Sequence, residues 1–266
     1  MTPQDIANAA AQLVKAEETR VQTGVLSVAY PDITMDEAYA IQDAFVAAKE
    51  AAGAQRKGWK IGLTSRAMQM ALGIDIPDSG ILFDDMFFDH KGQVPKGRFI
   101  QPRVEAEIAF GLRADLSGAD VTREDVLAAT EFVAPALEIL DTRILRADPT
   151  TGATRRVYDT IADNAANAGI VLGSKRHAPD AFDLRWVGAI VSRNGSVEET
   201  GLGAGVLNDP VLGIVWLVRR LAEYGQGLAA GDIVLSGSFI RPIEAPSGCR
   251  FLADYGDFGA VEIAFG

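Results

Sequence analysis

Glutamates at the centre of two otherwise apolar, strand-like segments constrain this chain more than any other feature. Glu105 and Glu107 lie in Arg103-Val-Glu-Ala-Glu-Ile-Ala-Phe110, and Glu138 lies in Val133-Ala-Pro-Ala-Leu-Glu-Ile-Leu140. Side chains of a strand alternate, so Glu105 and Glu107 point to one side, with Cα atoms roughly 6–7 Å apart. Glu138 is bracketed by Leu137 and Ile139, and neither face of its segment reads as polar. A buried carboxylate without a partner is costly in free energy or takes up a proton. A fold that holds these strands must therefore turn the acids to water or bring a cation to them. On the residues alone both readings stay open. Glu-x-Glu is the usual solvated face of a one-sided strand. Three converging carboxylates with no His or Cys beside them suit a hard divalent cation such as Mg²⁺ or Mn²⁺.

Charge narrows the partners. Among 266 residues, 25 basic against 36 acidic side chains leave a formal net charge of −11. Phosphate backbones need a clustered basic surface, so nucleic acid is not expected as a partner. A small anionic substrate would need local help from a metal or a basic pocket. No apolar run reaches the ~18–20 residues of a membrane helix, so no membrane partner is expected either. Cys249 is the single cysteine, which precludes an internal disulfide and fits a reducing compartment. Met1-Thr-Pro-Gln-Asp-Ile6 lacks the basic start and apolar core of a signal peptide. The expectation is a soluble, cytoplasmic protein.

Two helices open the chain. Thr2-Pro3 is a cap followed by a first-turn proline, and Thr34-Met-Asp-Glu37 has capping-box spacing, with Gly53 as a stop. After Gly58 short apolar runs alternate with glycines and turns. Strands are expected at Trp59–Leu63, Gly80–Phe83, Val104–Phe110, Val133–Leu140, Gly169–Leu172, Trp186–Ser192, Ile233–Leu235 and Ala260–Phe265. Asn194-Gly195 is a hairpin signal. Helices are expected after Thr122, with Asp125 three residues on, and over Pro210 to Ala222. The reading is an α+β fold, a mixed β-barrel or roll fronted by N-terminal helices. Residues 1–57 form a helical segment packed on the core, and residues 58–266 form a β-rich catalytic domain.

Familiar catalytic patterns are missing. His90 and His177 sit in polar segments, read as exposed loops, and form neither a Ser-His-Asp site nor a zinc pair. Gly201-Leu-Gly-Ala-Gly205 follows polar Glu198-Glu-Thr200 and reads as a turn before a helix. Gly53 to Gly58 has phosphate-loop spacing, but Trp59 stands where the lysine belongs. Lys60, next to Trp59 and Ile61, either snorkels to the surface or lines a pocket, where desolvation and a nearby metal would lower its pKa. Asp78 in Ile76-Pro-Asp-Ser-Gly80 is a turn former or a general base.

Trp59-Lys-Ile-Gly-Leu-Thr-Ser65, Phe83-Asp-Asp-Met-Phe-Phe88, Pro102 to Phe110, Ala134 to Leu140, Asp159-Thr-Ile-Ala-Asp-Asn-Ala-Ala-Asn-Ala-Gly169 and Gly237-Ser-Phe239 follow one another across nearly the whole chain. In this order they closely resemble the hydratase and decarboxylase branch of the fumarylacetoacetate hydrolase superfamily. Asp85-Met-Phe-Phe88 and Asn164 to Gly169 resemble its hydratases, since the decarboxylases typically carry serines where Ala166 and Asn167 stand. Ser79 departs from the aromatic that many relatives have beside the aspartate, which bears on pocket shape.

The resemblance implies a fumarylacetoacetate hydrolase type of barrel, with Glu105, Glu107 and Glu138 holding Mg²⁺ or Mn²⁺ and Lys60 and Asp78 as acid–base pair. It implies hydration of an unsaturated 2-oxo dicarboxylate, 2-hydroxyhepta-2,4-dienedioate, in homoprotocatechuate breakdown. A decarboxylase, a hydratase of the five-carbon 2-oxopent-4-enoate, or a non-catalytic partner of a pathway enzyme are the alternatives. Ser238 is a candidate hydroxyl donor to substrate, or a simple turn residue. Arg103, Arg143, Arg155 and Arg156 are available for a distal carboxylate. The family implies a homo-oligomer built on five-fold rings, and leaves open docking of a downstream aldolase.

Overall fold

The structure, a computed structural model, describes residues 1–66, 69, 70, 74 and 76–266. Helix α1 (Pro3–Thr19) starts at a complete capping box, Thr2 accepting from the Asp5 N–H while the Asp5 carboxylate accepts from Thr2 N–H. A short α2 (Leu26–Ala29) leads to α3 (Met35–Ala51), capped in the same way by Thr34 and Glu37. The chain leaves α3 through Gly53 at φ +104°, the left-handed stop that glycine supplies without steric cost. Leu13 of α1 meets Ile41 and Phe45 of α3 in a core continuous with Phe83 and Phe110 of the strands.

The strands are β1 (Arg56–Gly62), β2 (Asp78–Phe83), β3 (Phe87–Phe88), β4 (Gly92–Val94), β5 (Arg103–Leu112), β6 (Thr130–Leu140) and β7 (Asn167–Leu172). They continue as β8 (Gly188–Arg193), β9 (Ser196–Leu202), β10 (Ile233–Leu235), β11 (Ile243–Glu244), β12 (Arg250–Asp254) and β13 (Ala260–Phe265). One sheet runs β2-β1-β10-β5-β6-β7-β3, with β11 also paired to β5, and the other runs β4-β13-β12-β8-β9. Among the described residues three further helices follow: α4 (Arg123–Ala129) and α6 (Pro210–Ala222), capped by the Thr122 and Asp209 side chains, and α5 (Val157–Ala162), where Asp159 accepts from the Arg156 N–H. The result is α+β, a mixed β-roll in which α1, α2 and α3 precede the first strand and the later helices connect strands. Among the described residues no helix is long and apolar enough to cross a membrane.

Central strands β5 and β6 are buried on both faces almost throughout, so their glutamates cannot be a solvated stripe. The Asn194-Gly195 signal holds: both residues take positive φ, 53° and 85°, and join β8 to β9. Sequence reading misses β3, β4, β9, β11 and β12 as strands. Glu198 to Thr200 belong to β9, an exposed edge strand with no apolar face to announce it. Gly201 to Gly205 therefore end a strand and form one 3₁₀ turn rather than leading directly into a helix. Both histidines are half-buried rather than exposed. His90 Nδ1 accepts from Glu262 N–H, and His177 stacks on Phe258 and bonds its carbonyl.

Candidate active site

The register of β5 and β6 sets Glu105 directly opposite Glu138, with Glu107 two residues on along the same face. One carboxylate oxygen from each lies within 4.8 Å of the other two. Glu107 and Glu138 are 0% exposed. The Gly237 N–H donates to Glu107 Oε2 at 2.8 Å, but Glu107 Oε1 and both oxygens of Glu138 have no hydrogen-bond partner among the described residues. Tyr255, the residue after β12, pins the two strands at this point: its hydroxyl donates to the Ala136 carbonyl at 2.5 Å and accepts from Glu107 N–H.

Burial, then the mutual repulsion of the acids, pushes Glu105 up to about 8, against the pull of Lys60. The same causes raise Glu107 well above the usual carboxylate range. Burial raises Glu138 as well, with Lys60 opposing. Three hard oxygens without partners, gathered in a dry seat, fit a divalent cation of the Mg²⁺ or Mn²⁺ type by donor chemistry.

Lys60 is 3% exposed and does not snorkel. Its Nζ lies 3.3 Å from Glu138 Oε1, an ion pair not aligned as a hydrogen bond, and donates to the Ala165 carbonyl at 3.3 Å. Burial lowers its pKa, but Glu138 and Asp78 outweigh burial and hold it above the usual amine range. That is opposite to the expected direction, because the carboxylate field dominates; a divalent charge in the seat would work the other way. Asp78 opens β2 rather than forming a turn, is 1% exposed, and leaves Oδ1 without a partner among the described residues. Burial raises its carboxyl against the Lys60 cation.

The supporting residues carry no chemical signature in sequence. Gly62 pairs with Asp78 across β1 and β2, and a Cβ there would stand 2.2 Å from Asp78 Oδ1 and 3.0 Å from Lys60 Nζ. Asn164, Ala165 and Ala166 all take left-handed φ, 51°, 51° and 58°, a run that costs about 1–2 kcal/mol per residue for L-amino acids. Asn164 secures it by accepting from Ile81 N–H at 2.7 Å and donating to the Ile81 carbonyl at 3.0 Å. This strained turn aims the Ala165 carbonyl at Lys60.

Lys60, Asp78 and Glu105 open on a cavity of about 420 Å³ that Ser238, Arg103 and Arg155 also line. The Ser238 hydroxyl donates toward the carbonyls of Ile240 and Ala106 and accepts from Ile240 N–H, so it is engaged in its own turn at the cavity wall. Of the four arginines, Arg143 is buried on Asp163, and Arg156 donates to the carbonyls of Ser27 and Pro31. Neither lines the cavity. A wider depression of about 680 Å³ adjoins it, sharing Gln101 and Arg103, but holds none of the carboxylates of the cluster.

No protein-family model matches the chain. It is 49% identical over 256 residues to a 2-oxo-hept-4-ene-1,7-dioate hydratase of Escherichia coli, covering 96% of each chain. It is 39% identical over 265 residues to a 2-keto-4-pentenoate hydratase of Paraburkholderia xenovorans (strain LB400), covering 100% of this chain and 96% of the other. Among solved structures, 4-oxalocrotonate decarboxylase from Pseudomonas putida G7, complexed with magnesium and adipate, superposes with a TM-score of 0.93 at 29% identity, over 100% and 99% of the two chains. The chain belongs to the hydratase and decarboxylase branch of the fumarylacetoacetate hydrolase superfamily. Its activity is that of a hydratase, a hydro-lyase.

Proposed function

We propose that this hydratase converts 2-oxohept-4-ene-1,7-dioate, through its 2-hydroxy-2,4-diene tautomer, to 4-hydroxy-2-oxoheptanedioate. The single observation that carries the proposal is the cluster of Glu105, Glu107 and Glu138, with partnerless oxygens, beside Lys60 and Asp78. The seven-carbon dioate in the name of the 49% identical relative supports the choice of substrate.

In this reading the three glutamates hold Mg²⁺ or Mn²⁺, which when bound supplies Lewis-acid stabilisation of charge at the substrate's 2-oxygen. Lys60 delivers a proton to C5, giving the conjugated 2-oxo acid with an electrophilic C4. Asp78 orients and deprotonates the water that adds there; its partnerless Oδ1 supports that role. The enol that results takes a proton at C3. Each such proton transfer is worth ~10²–10⁴-fold. The Ser238 hydroxyl contributes to the substrate wall beside the C1 end.

In the same reading the protein is a cytoplasmic homo-oligomer that passes its product to a downstream aldolase. Exposed Ile190, Val197 and Leu252 share one face of the second sheet, an apolar surface that supports self-association. Light scattering would read the mass.

Incubation with 2-hydroxyhepta-2,4-dienedioate and Mg²⁺ tests the activity. Loss of dienol absorbance without CO₂ is expected; stoichiometric CO₂ would instead mark a decarboxylase.

A further inference from the structure

The cavity wall carries charges of both signs. Glu105 brings the acidic cluster to that wall. Arg103 precedes it by two residues on β5, on the same side of the strand, and pairs across the ladder with Leu140 where Glu105 pairs with Glu138. Two residues of strand span ~7 Å, comparable to the length of an extended seven-carbon diacid. Arg155 reaches the same wall from the segment before α5, its Nη1 donating to the Ile144 carbonyl at 3.0 Å.

Gathering these cations here is unfavourable by itself. Neither Arg103 nor Arg155 has a carboxylate within ion-pair distance among the described residues, in a chain whose net charge is −11. Burial and the nearby cations of Arg103 and Arg146 depress the Arg155 guanidinium, against the pull of Asp163 and Asp159. A carboxylate arriving between them relieves that repulsion. Guanidinium groups present paired N–H donors matched to carboxylate oxygens. By contrast Arg241, at the rim, is already engaged by Glu199.

We infer that Arg103 and Arg155 form the subsite for the distal carboxylate and make this enzyme select dicarboxylic over monocarboxylic dienols. The inference rests on the proposed substrate class.

Its test compares kcat/KM for 2-hydroxyhepta-2,4-dienedioate and 2-hydroxypenta-2,4-dienoate, with Mg²⁺ present, in the wild type, Arg103→Gln and Arg155→Gln. The diacid-to-monoacid ratio should fall about 10–100-fold in each variant, mainly through KM, as expected for a lost hydrogen-bonded charge pair. An unchanged ratio, whatever the absolute rates, overturns the inference. The wild type alone provides a second measurement independent of variant folding. There 2-oxoheptanedioate should bind, by calorimetry with Mg²⁺ present, at least tenfold more tightly than 2-oxoheptanoate of equal chain length. Equal affinity overturns the subsite. Failure of the wild type to hydrate either dienol, with this binding preference intact, would instead overturn the proposed reaction and leave the subsite standing.

Discussion

Lys60 Nζ stands 3.3 Å from Glu138 Oε1, with both side chains shut away from bulk water. The amine thus belongs at once to the acidic cluster and to the cavity where a substrate would lie. Lys60→Met keeps much of the volume and removes the proton donor. Turnover should fall ~10²–10⁴-fold, while Mg²⁺ affinity measured by calorimetry stays within about tenfold, since the glutamates remain. A parallel collapse of affinity and rate would make Lys60 part of the metal seat instead.

Proton uptake by the cluster sets a pH dependence. Glu105 is pushed up to about 8, and Glu107 and Glu138 are raised as well. At neutral pH the metal-free protein therefore carries protons that Mg²⁺ must expel. Calorimetric heats in two buffers of different ionisation enthalpy should differ, and affinity should rise as pH climbs toward 8. The sign for stability follows from the same groups. A carboxyl whose folded value exceeds its unfolded one stabilises below the unfolded value and loses that contribution as pH rises through the folded value. With EDTA present, the midpoint of thermal unfolding should fall between pH 6 and 8.5. Saturating Mg²⁺ should reverse that trend. Buffer-independent heats would contradict the assignment.

Much of this centre is legible in sequence because its chemistry sits on regular elements. Strand alternation puts Glu105 and Glu107 together, and the apolar neighbours of Glu138 mark it as buried. Asp78 is less legible. Pro77 and Gly80 mimic turn chemistry, and its burial comes only from pairing with β1. Gly62, Asn164 and Gly237 belong to stretches that carry the resemblance but show no chemical role of their own in sequence, since each acts through a contact remote in the chain; Asn164 and Ile81 are 83 residues apart. Edge strand β9 is hidden for the opposite reason: with nearly every side chain exposed or half-exposed, it has no hydrophobic period.

Gly62 gives a test of geometry that replaces no ionisable group. Its substitution by Ala would set a Cβ 2.2 Å from Asp78 Oδ1, so the carboxylate must move. Displacements of that order cost ~10²-fold in rate. Gly62→Ala should lose activity on that scale while its circular dichroism and Mg²⁺ affinity match the wild type. Undiminished turnover would remove Asp78 from the reaction.

The left-handed turn separates stability from activity. Ala165→Gly relieves a residue held at φ 51°, a strain of about 1–2 kcal/mol, against about 0.5–1 kcal/mol for glycine's extra chain entropy. Net stability should rise slightly. The same change loosens the carbonyl that holds Lys60, so turnover should fall severalfold. Asn164→Ala works differently: it strips both Ile81 bonds and leaves a buried N–H without its acceptor, a loss of ~1–3 kcal/mol, and it frees the same turn. The two variants should therefore move the urea midpoint in opposite directions and kcat in the same direction. If Ala165→Gly leaves kcat at the wild-type value, the strained turn serves packing alone and Lys60 is held by Glu138.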